Sequence, residues 1–213
     1  MADPDSPEPD VAAVFVTRWY TPAATAAVLQ EVTAAWAAAP WPPGLLSLDA
    51  YAGVTAETAL LYVRAADPDA YARHVSTLPG VARRTAVEYR PHRAIVLDGA
   101  PTAGCAVVAD FDVDDPPRQE QIVTSVVRAL EQTPPEHHRG MLSARFHLSV
   151  DGTRVLNLAR WTDDAAHEAF LAGATRRATL RATAATPGVR PIGFQRYHLF
   201  RSLGPTRIKE NQP

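Results

Sequence analysis

The sequence predicts an α+β chain made of two tandem ferredoxin-like βαββαβ repeats, pressed together as an intrachain pseudo-dimer. Three observations predict it. Strand-like and helix-like apolar runs follow the order strand, helix, strand, strand, helix, strand, and that order occurs twice. Sliding the chain by 96 residues, the separation of Phe15 and Phe111, also sets Gly44 on Gly140, Leu46-Ser47 on Leu142-Ser143, Arg64 on Arg160, Asp67 on Asp163, Ala70 on Ala166 and Pro91 on Pro187. These identities fall at turns, caps and core positions, and so long a period does not suit a solenoid. Finally, a four-stranded sheet with helices on one face leaves its other face bare. Each repeat supplies the cover the other lacks.

The elements follow in order. Val11 to Trp19 is a short apolar run with β-branched residues, predicted as a buried strand. Thr21-Pro22 reads as cap and first position of a helix reaching about Ala39, where Pro40 to Gly44 stops it. Leu45 to Gly53 and Thr58 to Ala65 form a strand pair. Asp67-Pro68 opens a second helix, interrupted by Leu78-Pro79-Gly80 and resumed to about Glu88, and Ile95 to Leu97 closes the first repeat (residues 11–98). Gly99 to Gly104 reads as a linker. In the second repeat (105–203), Ala106 to Val113 is a strand and Arg118 to Gln132 a helix stopped by Pro134-Pro135. Met141 to Val150 and Thr153 to Trp161 form a hairpin, Asp163 or Asp164 caps a helix to about Ala184, and Val189 to Leu199 is the last strand. Residues 1–10 and 204–213 read as loose tails.

Composition narrows the partners. The 213 residues carry a net charge of −2, which gives no reason to expect nucleic acid or an anionic membrane. The single cysteine, Cys105, fits a reducing cytoplasm, and the acidic, proline-rich MADPDSPEPD has no signal-peptide pattern. His137 and His138 follow Glu136 in a loop, but nothing else completes a metal ligand set, and no glycine-rich phosphate loop is present. The reading is of no metal and no tightly bound nucleotide.

Polar residues concentrate in the second hairpin, which carries Arg145, His147 and Asn157 and ends in Trp161. Its register decides which of them share a face. A two-residue Asp151-Gly152 loop sets His147 across from Leu156. A three-residue loop with Gly152 left-handed in a bulge sets His147 across from Val155, on one face with Asn157 and Trp161. The second register is the expectation.

The second repeat resembles the antibiotic biosynthesis monooxygenase family, whose fold is the dimeric α+β barrel, and within it the small anthrone oxygenases of aromatic polyketide pathways. The resemblance rests on His147, on Asn157 ten residues later, on Trp161 four further and on Arg181 twenty further. A family tyrosine falls on His167, a departure. The resemblance implies a cofactor-independent monooxygenase that oxidises an anthrone-type carbon to a quinone with O2, in which Asn157, Trp161, Arg181 and His147 are catalytic. His167, Phe170 and Arg145 are expected to bind substrate. The first repeat has Tyr51, Leu61, Ala65 and Thr85 at the four catalytic positions, so it is read as structural. Two alternatives stay open: a ring-opening oxygenase of angucycline-type polyketides using reduced flavin as diffusible co-substrate, and a non-catalytic polyketide-binding or cyclase-like protein. A further homodimer also stays open. So do plainer roles, with Trp161 as a core residue, His147 as a satisfied sheet histidine and Arg181 as a solvated helix residue.

Overall fold

The computed structural model describes residues 10–22, 24–54, 57–97 and 103–205. Most of the two expected tails and of the linker lies outside those residues. The elements are β1 (Ala13–Tyr20), α1 (Thr25–Ala38), β2 (Leu45–Gly53), β3 (Thr58–Ala65), α2 (Pro68–Thr77), β4 (Val87–Val96), β5 (Cys105–Val113), α3 (Pro116–Glu131), β6 (Met141–Ser149), β7 (Arg154–Trp161), α4 (Asp164–Ala172), α5 (Ala174–Ala184) and β8 (Val189–Leu203). A 3-10 turn at Pro135–His138 follows α3.

Each half makes the antiparallel order expected of a split βαβ sheet, β4-β1-β3-β2 and β8-β5-β7-β6. The edges then pair across the halves, β2 with β8 and β4 with β6, so the strands close into one eight-stranded barrel. Closure leaves no exposed sheet edge. The alternation of side chains along each strand creates three packed regions. One lies between the first sheet and α1/α2, around Leu29, Trp36, Leu48 and Val63. A second lies between the second sheet and its helices, around Ile122, Val127, Phe146 and Trp161. The third fills the barrel from both halves, with Val14, Leu60, Tyr62, Val108, Leu156 and Tyr197. There Arg18 donates twice to the carboxylate of Asp110, 2.6 Å each, tying β1 to β5.

Several boundaries differ from expectation. The segment after Leu78 does not resume as helix; β4 instead starts at Val87 and is a full-length strand. It must be long because it bridges β1 and β6. Pro91, which speaks against a strand in the sequence, sits at a register irregularity in the β4/β6 ladder, where a missing N–H costs least. Likewise β8 runs to Leu203 to pair with both β5 and β2. The cap expected at Thr21 is absent: α1 begins at Thr25, and Thr21 bonds the Thr25 hydroxyl at 2.7 Å. Asp115 and Asp163 do cap α3 and α4, accepting from the amides of Arg118 and Ala166. The last expected helix breaks at Gly173 into α4 and α5, which lets α5 pack on α3. No helix among the described residues is long and apolar enough to cross a membrane.

Matched residues play matched roles in the two halves. Gly44 and Gly140 have φ of +89° and +86°, and a Cβ on either would lie 2.6 Å from the Cβ of Asp67 or Ala166. Both conformation and space therefore require glycine. Gly140→Ala is expected to lower stability in urea denaturation by about 1–3 kcal/mol. Gly80→Ala, where nothing lies within 4 Å, is expected to cost less than about 0.5 kcal/mol. Equal costs would mean that the tight turn before β6 is dispensable.

Candidate active site

A pocket open to solvent on one side lies between the second sheet and α3, α4 and α5. Its floor is β5 and β7, with Val107, Ala109, Asn157, Ala159 and Trp161. These residues share a face because alternate strand residues point the same way. His167 and Phe170 enter from α4, and Arg176, Thr179 and Thr183 from α5. Phe194 of β8 closes one side and is 42% exposed. The mostly apolar wall suits a flat organic molecule.

Aromatic rings form a cage at one end. Trp161 meets His167 edge-on at 5.2 Å between centroids and Phe170 at 5.0 Å. His167 also meets Phe194 edge-on at 5.3 Å. Among the described residues, three buried polar atoms here have no hydrogen-bond partner: Asn157 Oδ1, Trp161 Nε1 and His167 Nδ1. Unpartnered buried polar atoms cost free energy, and the three that line this pocket, two from β7 and one from α4, offer it hydrogen-bonding capacity. In the first half, Trp36 Nε1 and His74 Nε2 are likewise without a partner, but they lie in a filled core and not on a pocket wall. Leu61 and Ala65 stand at the positions of Asn157 and Trp161, and the space under its helices is filled by Trp36, Tyr71 and His74. Tyr71 stacks on Phe15 at 4.0 Å.

The pocket unites four of the seven expected site residues: Asn157, Trp161, His167 and Phe170. It excludes three. The β6/β7 register pairs His147 with Leu156 and Phe146 with Asn157, against the expected register. Gly152 is left-handed, φ +77°, as expected, but the loop spans four residues from Val150 to Thr153. Asp151 fixes it, accepting from the hydroxyls of Ser149 and Thr153 and from the Thr153 amide. His147 therefore points into the barrel, where its Nε2 lies 2.8 Å from the Tyr62 hydroxyl. Arg145 shares that barrel face. Arg181 lies on the outer surface between α3 and α5, with Gln121 and Arg128. Its place is taken by Arg176, five residues earlier, which sequence reading missed. The signal was present: Thr175, Thr179 and Thr183 at helical spacing mark the buried face of α5, and Arg176 borders it while Arg181 does not.

The electrostatics follow from burial. His167 is 2% exposed, and burial, with the nearby positive charges of Arg196 and Arg176, lowers its pKa to about 4. It is thus a neutral imidazole at pH 7, available as donor and acceptor. Arg176 has its pKa lowered by burial and lies 5.7 Å above the Phe194 ring. The Cys105 thiol is pushed up to about 12, first by burial, and is a small core hydrophobe and not a nucleophile. Among the described residues, no group of three or more His, Cys, Asp or Glu side chains could hold a metal ion, the His137/His138 loop included.

No family model and no curated protein matches the chain. Solved structures do. A crystallised anthrone oxidase-like protein is 18% identical, with a TM-score of 0.71 over 92% of this chain and 94% of its own. A ferredoxin-fold protein of Listeria monocytogenes related to antibiotic biosynthesis monooxygenases is 12% identical, with a TM-score of 0.54 over 90% and 96%. A monooxygenase-like protein of Listeria innocua is 11% identical, with a TM-score of 0.53 over 89% and 94%. The fold of this chain is that of the ferredoxin-fold proteins related to antibiotic biosynthesis monooxygenases, with both sheets of the α+β barrel supplied by one polypeptide.

Proposed function

We propose that the pocket oxidises the activated methylene of an anthrone-type aromatic polyketide to a carbonyl, using O2 and neither a metal nor a bound cofactor. The observation that carries the reading is the convergence of the three unpartnered polar atoms, on Asn157, Trp161 and His167, in an apolar slot beside Arg176.

The chemistry needs little more. A methylene between two aryl rings and opposite a carbonyl is acidic because its anion is a delocalised enolate. His167 is the base in this reading, replacing the expected His147. Its imidazole is neutral only because like charges and burial oppose protonation. An enolate formed beside it supplies the missing counter-charge, so proton transfer and anion formation stabilise each other. Trp161 donates its N–H to the enolate oxygen, Asn157 does so with its amide turned to bring Nδ2 into the place of Oδ1, and Arg176 balances the charge. The enolate gives one electron to triplet O2, and the carbon radical and superoxide combine into a C–O bond. The resulting peroxide takes up a proton. Loss of the second methylene hydrogen as a proton, with cleavage of the O–O bond, leaves a carbonyl and releases water. One O2 supplies one oxygen to the product and one to that water, and the substrate supplies all four electrons.

The test is conversion of an anthrone by the purified protein in air, with and without added reduced flavin. Conversion without flavin is expected; strict flavin dependence, or no conversion, overturns the reading. Asn157→Ala should lower kcat/KM by about 100-fold through loss of an oxyanion donor. Trp161→Phe, which keeps the ring and removes the N–H, should lower it by about tenfold or more. Activity unchanged in both would remove the proposed anion site.

The shifted imidazole also predicts a stability profile. His167 has a folded pKa of about 4, below its unfolded value near 6.5. The unfolded chain therefore binds a proton first as pH falls. The stabilisation is fully present above about pH 6.5 and is lost as pH drops toward 4, by up to about 3 kcal/mol. His167→Gln should flatten that part of the urea-derived stability curve between pH 6.5 and 4. An unaltered slope would show that the imidazole is not held neutral.

A further inference from the structure

The pocket under α4 and α5 carries a charge without a counter-charge. Among the described residues, Arg176 is the one charged side chain on its wall, and no carboxylate lines it. Arg176 is half-buried, and its guanidinium lies 5.7 Å above the Phe194 ring that closes one side of the pocket. Among the described residues, no carboxylate and no carbonyl takes up its N–H groups. Its neighbours differ. Arg177 donates to the Ala172 carbonyl at 2.9 Å, Arg196 pairs with Glu168 at 2.7 Å, and Arg181 faces the outer groove. A guanidinium partly withdrawn from water beside apolar groups costs free energy until an anion meets it.

The rest of the α5 wall cannot hold an anion in its place. The hydroxyls of Thr179 and Thr183 donate to the carbonyls of Arg176 and Thr179, at 2.9 Å each. They can still accept, but they have no proton left to give. The fold does not require an arginine here either. The shift that matches the two halves sets Gly80 opposite Arg176, and a Cβ at Gly80 would meet nothing within 4 Å. Nor does the proposed chemistry neutralise it. Moving a proton from the substrate to His167 makes one cation and one anion. With a neutral substrate the pocket therefore holds one positive charge in excess before and after the step, and the enolate lies between two cations, the His167 imidazolium and Arg176. A substrate bearing one carboxylate leaves the pocket neutral throughout.

We infer that the substrate is a flat aromatic acid, and that Arg176 selects it by pairing with its carboxylate while the ring system lies in the apolar slot. The planar guanidinium fork matches the two oxygens of a carboxylate. Contact with the face of Phe194 restrains the guanidinium on that side of the pocket. The pairing also acts on the base. Burial first, then Arg196 and Arg176, oppose protonation of His167, against the opposite pull of Asp164 and Glu168. A carboxylate on Arg176 cancels one of those two positive charges, so an acidic substrate makes His167 the stronger base.

Because the assignment rests on the reading of this pocket as the site of an aromatic polyketide, its test is binding and not turnover. Anthraquinone-2-carboxylate and its uncharged isostere, anthraquinone-2-carboxamide, are titrated into the full chain near neutral pH, with quenching of tryptophan fluorescence as the signal. The acid is expected to bind about tenfold more tightly than the amide, or better. Arg176→Gln should weaken the acid by about tenfold and change the amide by less than about twofold, with Arg176→Lys in between. Arg181→Gln, on the outer surface of the same helix, should leave both unchanged. Circular dichroism checks that each variant folds. If Arg176→Gln does not, the preference of the unsubstituted chain and its reduction in Arg176→Lys still decide. Equal affinity for the two probes, no binding of either, or a preference that survives Arg176→Gln overturns the inference. A chain that prefers the acid but oxidises no anthrone loses the oxygenase reading and keeps this assignment, and one that oxidises neutral anthrones and binds both probes alike does the reverse.

Discussion

A sheet has two faces, and this protein must cover both faces of two sheets with one chain. Helices cover the outer faces. The inner faces cover each other, and the cross-pairs β2/β8 and β4/β6 turn the contact into a closed barrel. Everything functional in the molecule depends on that arrangement. Once the barrel is closed, successive residues on every strand alternate between a helix-side compartment and a barrel interior. Polar residues close together in sequence then belong to different chemical environments.

The second hairpin shows the consequence. Asn157 and Trp161 sit under the helices, in an apolar slot with His167 and Arg176. His147, one residue from Phe146 on the same strand, faces Tyr62 across the barrel. Arg145 and Arg160 line the barrel mouth. A run that looks like a single polar patch along the chain is divided between an apolar slot under the helices and the interior of the barrel.

The two halves apply one backbone plan to different ends. Gly44 and Gly140 make the same strained turn, and Asp67 and Asp163 cap the helices that pack against them. In the first half the space between sheet and helices is filled by Trp36, Tyr71 and His74 and by the Phe15/Tyr71 stack. In the second the corresponding space is kept open by Ala109, Ala159 and the threonines of α5. The difference lies in side-chain volume and not in topology.

Element order, the glycine turns, the Asp caps and the pairing of two sheets were legible in the sequence because they depend on local chemistry and on a periodicity of two or 3.6 residues. So was the presence of Asn157, Trp161, His167 and Phe170 in one compartment, since parity along β7 and helical spacing in α4 bring them together. The lengths of β4 and β8 were not legible, because those strands are long only to reach the other half, and Pro91 argues locally against a strand. The side on which His147 lies was not legible either. It turns on a four-residue loop held by Asp151, whose hydrogen bonds exist only once Ser149 and Thr153 are in place. The choice of Arg176 over Arg181 waited on the break at Gly173, which rotates α5 against α3. The sequence by itself determined which residues could share a strand or helix face. Only the tertiary structure decided which face looks into the pocket and which into the barrel, because that choice is made by long-range strand pairing between halves some 96 residues apart.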